Sequence, residues 1–191
     1  MSQATAWLPI PLLRRMLAAA ERHGDYETGG MLIGYEGLAR ADEVVVTELI
    51  DGGPRARHNE YAFHPDGRWQ RKELARVYTE SGRVATFLGD WHSHPHGLPL
   101  PSDVDVETAA RTAANERARA PRPLTVIIGR DEDDWILGAF RFNGDDLTPA
   151  RIRVFEPEAS DLVEALDPWH GRELWPERRR RSSRAQGLPR F

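Results

Sequence analysis

The sequence contains no cysteine among its 191 residues. Disulfide frameworks, zinc sites built on thiolates and cysteine nucleophiles are therefore excluded. A metal-dependent catalyst with this composition has to bind its metal through His, Asp or Glu. A cysteine-free chain also fits a reducing compartment, and we expect the protein to be cytoplasmic.

Long hydrophobic runs are lacking as well, since no segment approaches the roughly 20 apolar residues of a membrane span. The apolar stretch from Ala6 to Leu13 is short, contains two prolines, and precedes the basic pair Arg14 and Arg15. That order is opposite to the order in a secretory signal, so we expect neither a leader nor a membrane contact. With 40% hydrophobic and 29% charged residues, the chain has the composition of an ordinary globular protein.

The charge is unevenly distributed along the chain. The formal net charge is −4, yet residues 171–191 carry seven Arg against two Glu. A run such as Arg178 to Arg181 is typical of a solvated, disordered arm. We therefore divide the chain into a folded domain over 1–157 and a C-terminal extension over 158–191 with a disordered Arg-rich tail. Weak nucleic-acid binding through this tail stays open, as does contact with an acidic partner.

Hydrophobic periodicity predicts both helices and strands along the folded part of the chain. Turn residues and apolar spacing divide the folded part into three helices and six strands. The predicted helices cover about 12–23, 69–82 and 103–119. The predicted strands cover about 29–34, 44–50, 84–91, 124–128, 135–142 and 152–155, and a further short extended piece is predicted around 61–63. The short acidic connection over 130–134 indicates that the two strands beside it form a hairpin.

The densest chemistry of the sequence follows the predicted strand over 84–91. His92 and His94 are two residues apart, so on an extended segment both imidazoles leave the same face and can bind one ion. Two neutral imidazoles suit Zn²⁺, whose catalytic sites take three protein ligands and a water. We select Asp105, in the first turn of the following helix, as the third ligand. Asp90 is two residues before His92, so its side chain leaves the same face of the strand, but it lies deeper in that strand.

A simpler interpretation exists for each part of this pattern. A lone His-x-His pair is commonly a surface or core feature, and Ser102-x-x-Asp105 also fits a capping box that needs no metal. Metallo-β-lactamase and cupin sites would require further His or Glu residues that do not follow here, and no His-Glu-x-x-His helix is present. The conjunction of both parts in a cysteine-free chain favours a metal site.

These residues resemble a known family. His92-Ser93-His94-Pro95, followed at the right intervals by Ser102 and Asp105, matches the JAMM motif of the JAB/MPN zinc metalloproteases. An upstream glutamate is expected, and Glu27 fits in the string ETGGMLIG, the form that this strand takes in prokaryotic JAB proteins. The resemblance covers about residues 8–155 and implies a single α+β domain of the JAB/MPN metalloprotease type. Its mixed β-sheet is flanked by helices in a three-layer arrangement like that of the cytidine deaminases.

The resemblance also implies a role for each site residue. One zinc ion per chain would be held by His92, His94 and Asp105, together with a catalytic water. Glu27 would accept a proton as general base and return it to the leaving amine. Ser102 would donate a hydrogen bond to the developing oxyanion.

The glycines after Glu27 suggest a place for the substrate. Gly29 and Gly30 would let another backbone approach closely, and we expect an exposed strand edge there to bind an extended tail by β-addition. Three further histidines, His58, His64 and His96, are assigned to loops, with His96 close enough to the metal to contact substrate.

The expected function follows from the resemblance. We predict a zinc-dependent isopeptidase or peptidase that cleaves after the C-terminal tail of a ubiquitin-like modifier, during deconjugation or precursor processing. The motif context looks most like bacterial JAB proteins encoded beside ubiquitin-like activating and conjugating enzymes, including those of antiphage operons, which makes these enzymes expected partners. Two alternatives stay open: a peptidase that acts on a sulfur-carrier ubiquitin-like protein, and a non-catalytic JAB-like scaffold.

Overall fold

The computed structural model describes residues 3–37, 42–132 and 134–157. The extension predicted over 158–191 lies outside these residues. Within them the chain forms helices α1 (Ile10–His23), α2 (Gly67–Glu80) and α3 (Asp103–Ala114). The strands are β1 (Thr5–Pro9), β2 (Gly29–Glu36), β3 (Glu43–Asp51), β4 (Arg57–Asn59), β5 (Ala62–His64), β6 (Thr86–His94), β7 (Leu124–Asp131), β8 (Asp134–Phe142), β9 (Leu147–Pro149) and β10 (Arg151–Phe155).

Eight of these strands form one mixed sheet in the order β10-β1-β3-β2-β6-β7-β8-β9. Strand β2 is antiparallel to both of its neighbours, β3 and β6, whereas β6 and β7 run parallel. The predicted hairpin is confirmed, because β7 and β8 pair antiparallel from Leu124–Arg141 to Asp131–Asp134. A separate two-stranded sheet consists of β4 and β5.

Helices cover both faces of the large sheet, as the alternation of side chains on β7 illustrates. Val126 and Ile128 are buried in the cluster that contains the apolar face of α1. Ile127, between them, points to the opposite face and is buried with Ala109 of α3. Helix α2 contributes Val77 to a third cluster with side chains of β2 and β3. The expected three-layer α+β arrangement is therefore confirmed.

The core between α1 and the sheet is the largest of the three clusters. Leu12, Leu13, Met16 and Ala20 recur at helical spacing and are all buried. Burial of each large apolar side chain contributes about 1.5–3 kcal/mol to folding. No helix within the described residues has the length and apolar character needed to cross a membrane.

Several predicted boundaries differ from the structure. The predicted third helix extends to about Arg119, but α3 ends at Ala114. There the Asn115 side chain accepts the backbone N–H of Arg117, and this local bond competes with continuation of the helix. Strand β6 extends to His94 rather than ending at Trp91, so the two histidines lie on the strand itself. Strand β1 was missed, because its apolar stretch continues directly into α1.

Candidate metal centre

Two elements bring the three predicted ligands together. His92 and His94 lie on the same side of β6, and the first turn of α3 supplies Asp105. The Nε2 atoms of the two histidines are 3.0 Å apart. Asp105 Oδ1 lies 3.1 Å from His92 Nε2, and Oδ2 lies 3.7 Å from His94 Nε2. These three partly buried residues form a group that can hold a metal ion.

The orientation of the Asp105 carboxylate depends on the capping box at the start of α3. Its Oδ2 accepts both the backbone N–H and the hydroxyl of Ser102, each at 2.7 Å, while the Asp105 N–H donates to Ser102 Oγ at 3.3 Å. Burial opposes ionisation of this carboxyl. The contacts with His92 and Ser102 outweigh the burial, and the pKa of Asp105 lies well below its usual range. The capping interpretation and the ligand interpretation are therefore both compatible with this geometry.

The imidazole of His94 is held in a state that suits metal coordination. Its Nδ1 faces the carbonyl oxygen of Leu98 at 3.4 Å, which leaves Nε2 directed at the cluster. Burial and the neighbouring His92 lower the pKa of His94, partly offset by Asp105 and the Leu98 carbonyl. The neutral ring, the form that binds metals, is thus favoured.

The loop between β6 and α3 is positioned by two glycines of the β7–β8 hairpin. A Cβ atom at Gly129 would lie 2.3 Å from the nitrogen of Pro99, and one at Gly138 would lie 2.3 Å from the Pro99 oxygen. The Arg130 N–H also donates to the Gly97 carbonyl at 2.8 Å. Because the loop packs directly on the hairpin, the chain turns back and the start of α3 lies next to His92 and His94.

Glu27 lies two residues before β2, is half-buried and lines the same cleft as the three predicted ligands. Burial raises the pKa of its carboxyl to about 7, with His92 opposing the rise and Asp105 adding to it. Asp90 also lines the cleft, and burial raises its pKa to about 6 against the influence of His92. Asp90 is not a member of the metal-binding group.

The backbone around Glu27 is anchored by three residues that sequence reasoning did not assign to the site. The Glu27 N–H donates to the Asn59 carbonyl at 2.8 Å, and His58 Nδ1 lies 2.9 Å from the Glu27 carbonyl oxygen. The next residue, Thr28, exchanges two hydrogen bonds with buried Ser93. No local pattern in the sequence indicates these contacts, because they join segments at least 31 residues apart.

The loop assignment of His58 and His64 was wrong, because they lie on β4 and β5. The extended piece predicted around 61–63 corresponds to β5, whereas β4 contains no apolar residue, so the usual signal for a strand is missing there. His96 lies outside the strands, lines the cleft, and has its Nε2 3.1 Å from the Asp25 carbonyl oxygen.

The expected exposed edge at Gly29 and Gly30 is also wrong. Strand β2 is paired on both sides, with β3 and with β6. A Cβ atom at Gly29 would lie 2.3 Å from the Trp91 oxygen, and one at Gly30 would lie 2.3 Å from the Ile50 oxygen. These glycines admit the backbones of neighbouring strands, so a substrate strand has no place there.

The cleft that contains the cluster has a volume of about 710 Å³. Residues of the connection and strand from Glu60 to Pro65 form one wall, and Val104, Thr108 and Arg111 of α3 contribute another. Strand β5 pairs only with β4 among the described strands, so the other edge of β5 has no strand partner. A strand with one unpaired edge therefore contributes residues to a wall of the cleft.

Comparison with known proteins adds independent information. The profile of a family described as prokaryotic homologs of the JAB domain matches residues 9–142. The chain is 37% identical over 131 residues to a probable metalloprotease of Sinorhizobium fredii, covering 68% of this chain and 79% of that protein. It is 26% identical over 110 residues to a CD-NTase/cGAS isopeptidase of Escherichia coli, covering 58% of this chain and 65% of the isopeptidase. A solution structure of a Desulfitobacterium hafniense protein has a TM-score of 0.61 at 21% identity, covering 82% of this chain and 97% of that one.

Proposed function

Because the chain belongs to the family of prokaryotic homologs of the JAB domain, we propose that it is a zinc-dependent isopeptidase or peptidase that cleaves after the C-terminal tail of a ubiquitin-like modifier. The observation that carries this proposal is the convergence of His92, His94 and Asp105 in a cleft that Glu27 also lines. The metalloprotease and isopeptidase names of its relatives support a hydrolase.

The donor set fits zinc. Zinc bonds of about 2.0–2.2 Å at tetrahedral angles place ligand atoms roughly 3.3–3.6 Å apart. The two imidazole nitrogens are 3.0 Å apart, and the carboxylate oxygens of Asp105 lie 3.1 Å from the nitrogen of His92 and 3.7 Å from that of His94. Two imidazoles and one carboxylate also match the three-ligand sets of catalytic zinc, which leave a fourth position open. His92, His94 and Asp105 would therefore hold one zinc ion.

Bound zinc supplies Lewis acidity, which polarises a substrate carbonyl and lowers the pKa of water to about 7. The residues of the chain move the protons. Glu27 accepts a proton from the attacking water and delivers it to the leaving amine. A carboxyl with its pKa raised to about 7 suits both transfers near neutral pH.

Ser102 is proposed to stabilise the developing oxyanion. Its hydroxyl proton is directed at Asp105 Oδ2 in the structure, so this role requires the hydroxyl to turn toward the substrate. The backbone N–H of Ser102 donates to the same carboxylate oxygen and remains in place when the hydroxyl turns. Asp105 Oδ2 therefore keeps the hydrogen bond from the Ser102 backbone N–H throughout the reaction.

The substrate is proposed to be an extended protein tail. Residues of β5 line the cleft, and β5 has an edge without a strand partner among the described strands, so a tail laid along that edge would add a strand to the β4–β5 sheet. Relatives 24–31% identical to this chain are named CD-NTase/cGAS isopeptidases, which supports a protein conjugate as the substrate. We infer that a modifier conjugate of an antiviral enzyme is cleaved in the cytoplasm, with activating and conjugating enzymes as partners.

The test is to incubate the zinc-loaded chain with modifiers and conjugates encoded beside it and to identify cleaved bonds by mass spectrometry. We expect cleavage after the last residue of the modifier tail. Glu27→Ala should abolish cleavage while retaining zinc, and His92→Ala should lose both, with unchanged circular dichroism. Full activity in either variant contradicts the mechanism. Less than about half an equivalent of zinc, without any cleavage, supports the scaffold alternative instead.

A further inference from the structure

We propose that Arg111 is a specificity-determining residue that binds a carboxylate of the substrate, two or three residues from the scissile carbonyl. This inference rests on the proposed function and names one chemical feature of its substrate. It concerns the wall of the cleft that α3 forms.

The cleft-facing side of α3 is defined by helical spacing. Val104, Thr108 and Arg111 follow one another by four and three residues, so they lie on one face of the helix, and all three line the cleft. The same helix supplies Asp105 at its first turn. A substrate that reaches the metal centre along α3 therefore passes Arg111.

Arg111 has no acidic partner among the described residues. Its guanidinium donates a hydrogen bond from Nη2 to the Thr108 hydroxyl at 2.9 Å. Several other arginines of the domain do pair with a carboxylate, namely Arg15, Arg76, Arg122 and Arg141. A guanidinium has five N–H donors, so most donors of Arg111 are available to a ligand.

The charge of Arg111 contrasts with the rest of the cleft. Among the described lining residues it is the one arginine or lysine, and the carboxylic acids are Glu27, Glu60, Asp90 and Asp105. A guanidinium in this position matches a carboxylate in shape as well as charge, because two parallel N–H groups can bind both oxygens. Since the proposed substrate is a polypeptide tail, its available carboxylates are Asp, Glu or a chain terminus.

The position of the carboxylate follows from helix geometry. Six residues separate Asp105 from Arg111, which corresponds to about 9 Å along α3 at 1.5 Å per residue. Side chains lean toward the helix N-terminus, and the bond to Thr108 shows this direction for Arg111. An extended chain advances about 3.3 Å per residue. The guanidinium therefore meets the second or third residue from the scissile carbonyl.

The experiment uses the full zinc-loaded chain. Its substrate is a fusion in which the C-terminus of a modifier encoded beside this protein is joined to a reporter protein. Asp, Asn or Lys is placed at the second or third position on either side of the scissile bond. Wild type should cleave the Asp fusion about five- to tenfold faster than the Asn fusion at one of these positions, the size expected of a charge-assisted pair. Arg111→Met should reduce the ratio of the Asp to the Asn cleavage rate to about one. Arg111→Glu should cleave the Lys fusion faster than the Asp fusion.

Arg117→Met is the matched control, because Arg117 is exposed, follows the same helix and does not line the cleft. It should leave both the rate and the Asp/Asn ratio unchanged. Equal cleavage of Asp and Asn fusions by wild type, or an unchanged ratio in Arg111→Met, overturns the inference but leaves the proposed function intact. Failure of wild type to cleave any fusion overturns the proposed function, and this inference with it.

Discussion

The buried hydroxyl of Ser93 accepts the backbone N–H of Thr28 at 3.0 Å, and the Ser93 N–H donates to the Thr28 carbonyl at 2.8 Å. Ser93 lies between the two histidines of the candidate metal centre, and Thr28 directly follows Glu27. This pair therefore joins the strand that carries His92 and His94, the two proposed histidine ligands, to the segment that carries the proposed base. The position of Glu27 relative to the two histidines depends on it.

Ser93→Ala should uncouple these two parts of the site. The Thr28 N–H loses its acceptor, which costs about 1–3 kcal/mol of stability. Displacement of Glu27 should lower kcat/KM by about 10- to 100-fold, with zinc stoichiometry unchanged. Steady-state cleavage, urea unfolding and metal analysis measure these effects.

Ser81→Ala is the matched control for Ser93→Ala. Ser81 Oγ likewise accepts a backbone N–H, from Ala85 at 3.0 Å, and Ser81 does not line the cleft. Its loss should destabilise the fold without changing kcat/KM of the folded protein. Equal activity of the two variants would show that Ser93 has no positioning role.

Glu27→Gln should stabilise the metal-free protein at alkaline pH. The pKa of Glu27 in the folded protein is about 7, above the ordinary 4.5, so folding favours the neutral carboxyl. Its contribution to stability is full below pH 4.5 and is lost as pH rises through 7. Glutamine cannot ionise. After allowance for partial solvent exposure, we expect a gain of about 1 kcal/mol at pH 8 and none at pH 4.

Urea unfolding in the presence of a chelator at both pH values measures this difference. Glu21→Gln, an exposed position on α1, is the control and should change stability little at either pH. A destabilised Glu27→Gln at pH 8 would contradict the burial of an ionisable carboxyl at this site.

Ser102→Ala should separate the two roles of Ser102. Asp105 keeps the backbone N–H of Ser102, so zinc affinity should fall by no more than about 10-fold. Loss of an oxyanion donor should lower kcat at saturating zinc by about 10²–10³-fold. Zinc titration and kinetics at saturating metal distinguish the two effects.

Two further variants calibrate the Ser102 result. Asp105→Asn should lose zinc binding, because the proposed ligand loses its charge. Asp103→Asn, in the same helical turn but outside the metal-binding group, should retain it. If saturating zinc fully restores Ser102→Ala, Ser102 only orients the Asp105 carboxylate.

Gly129→Ala should displace the loop that leads to α3. A Cβ atom there would meet backbone atoms of Pro99 and Gly97 at 2.3 and 2.5 Å, so the loop must move. We expect destabilisation of about 1–3 kcal/mol and weaker zinc binding. Gly97→Ala, in the same loop, is the control, because a Cβ atom at that position has nothing within 4 Å. Unfolding curves and zinc titrations that match for the two variants would contradict this packing argument.

Local patterns in the sequence determined much of the fold and the chemistry of the site. The spacing of Leu12 to Ala20 predicts α1, because helical periodicity alone defines its buried face. The two-residue spacing of His92 and His94 places both imidazoles on one side of β6. The Ser102-x-x-Asp105 pattern predicts the capping box, since its donors and acceptors are three residues apart. Each of these features arises from backbone geometry over a few residues.

Only the tertiary structure decided how these local parts are arranged. Strand β2 is paired on both sides, so the free edge expected at Gly29 and Gly30 does not exist. The sequence could not show this, because strand order depends on contacts between distant segments. The bond between Ser93 and Thr28 joins residues 65 positions apart in the chain. The packing of Pro99 on glycines of β7 and β8 holds the loop before α3 against that hairpin. The sequence alone therefore determined which residues can bind a metal. The packing of distant segments decided where the base lies and which strand edge a substrate can reach.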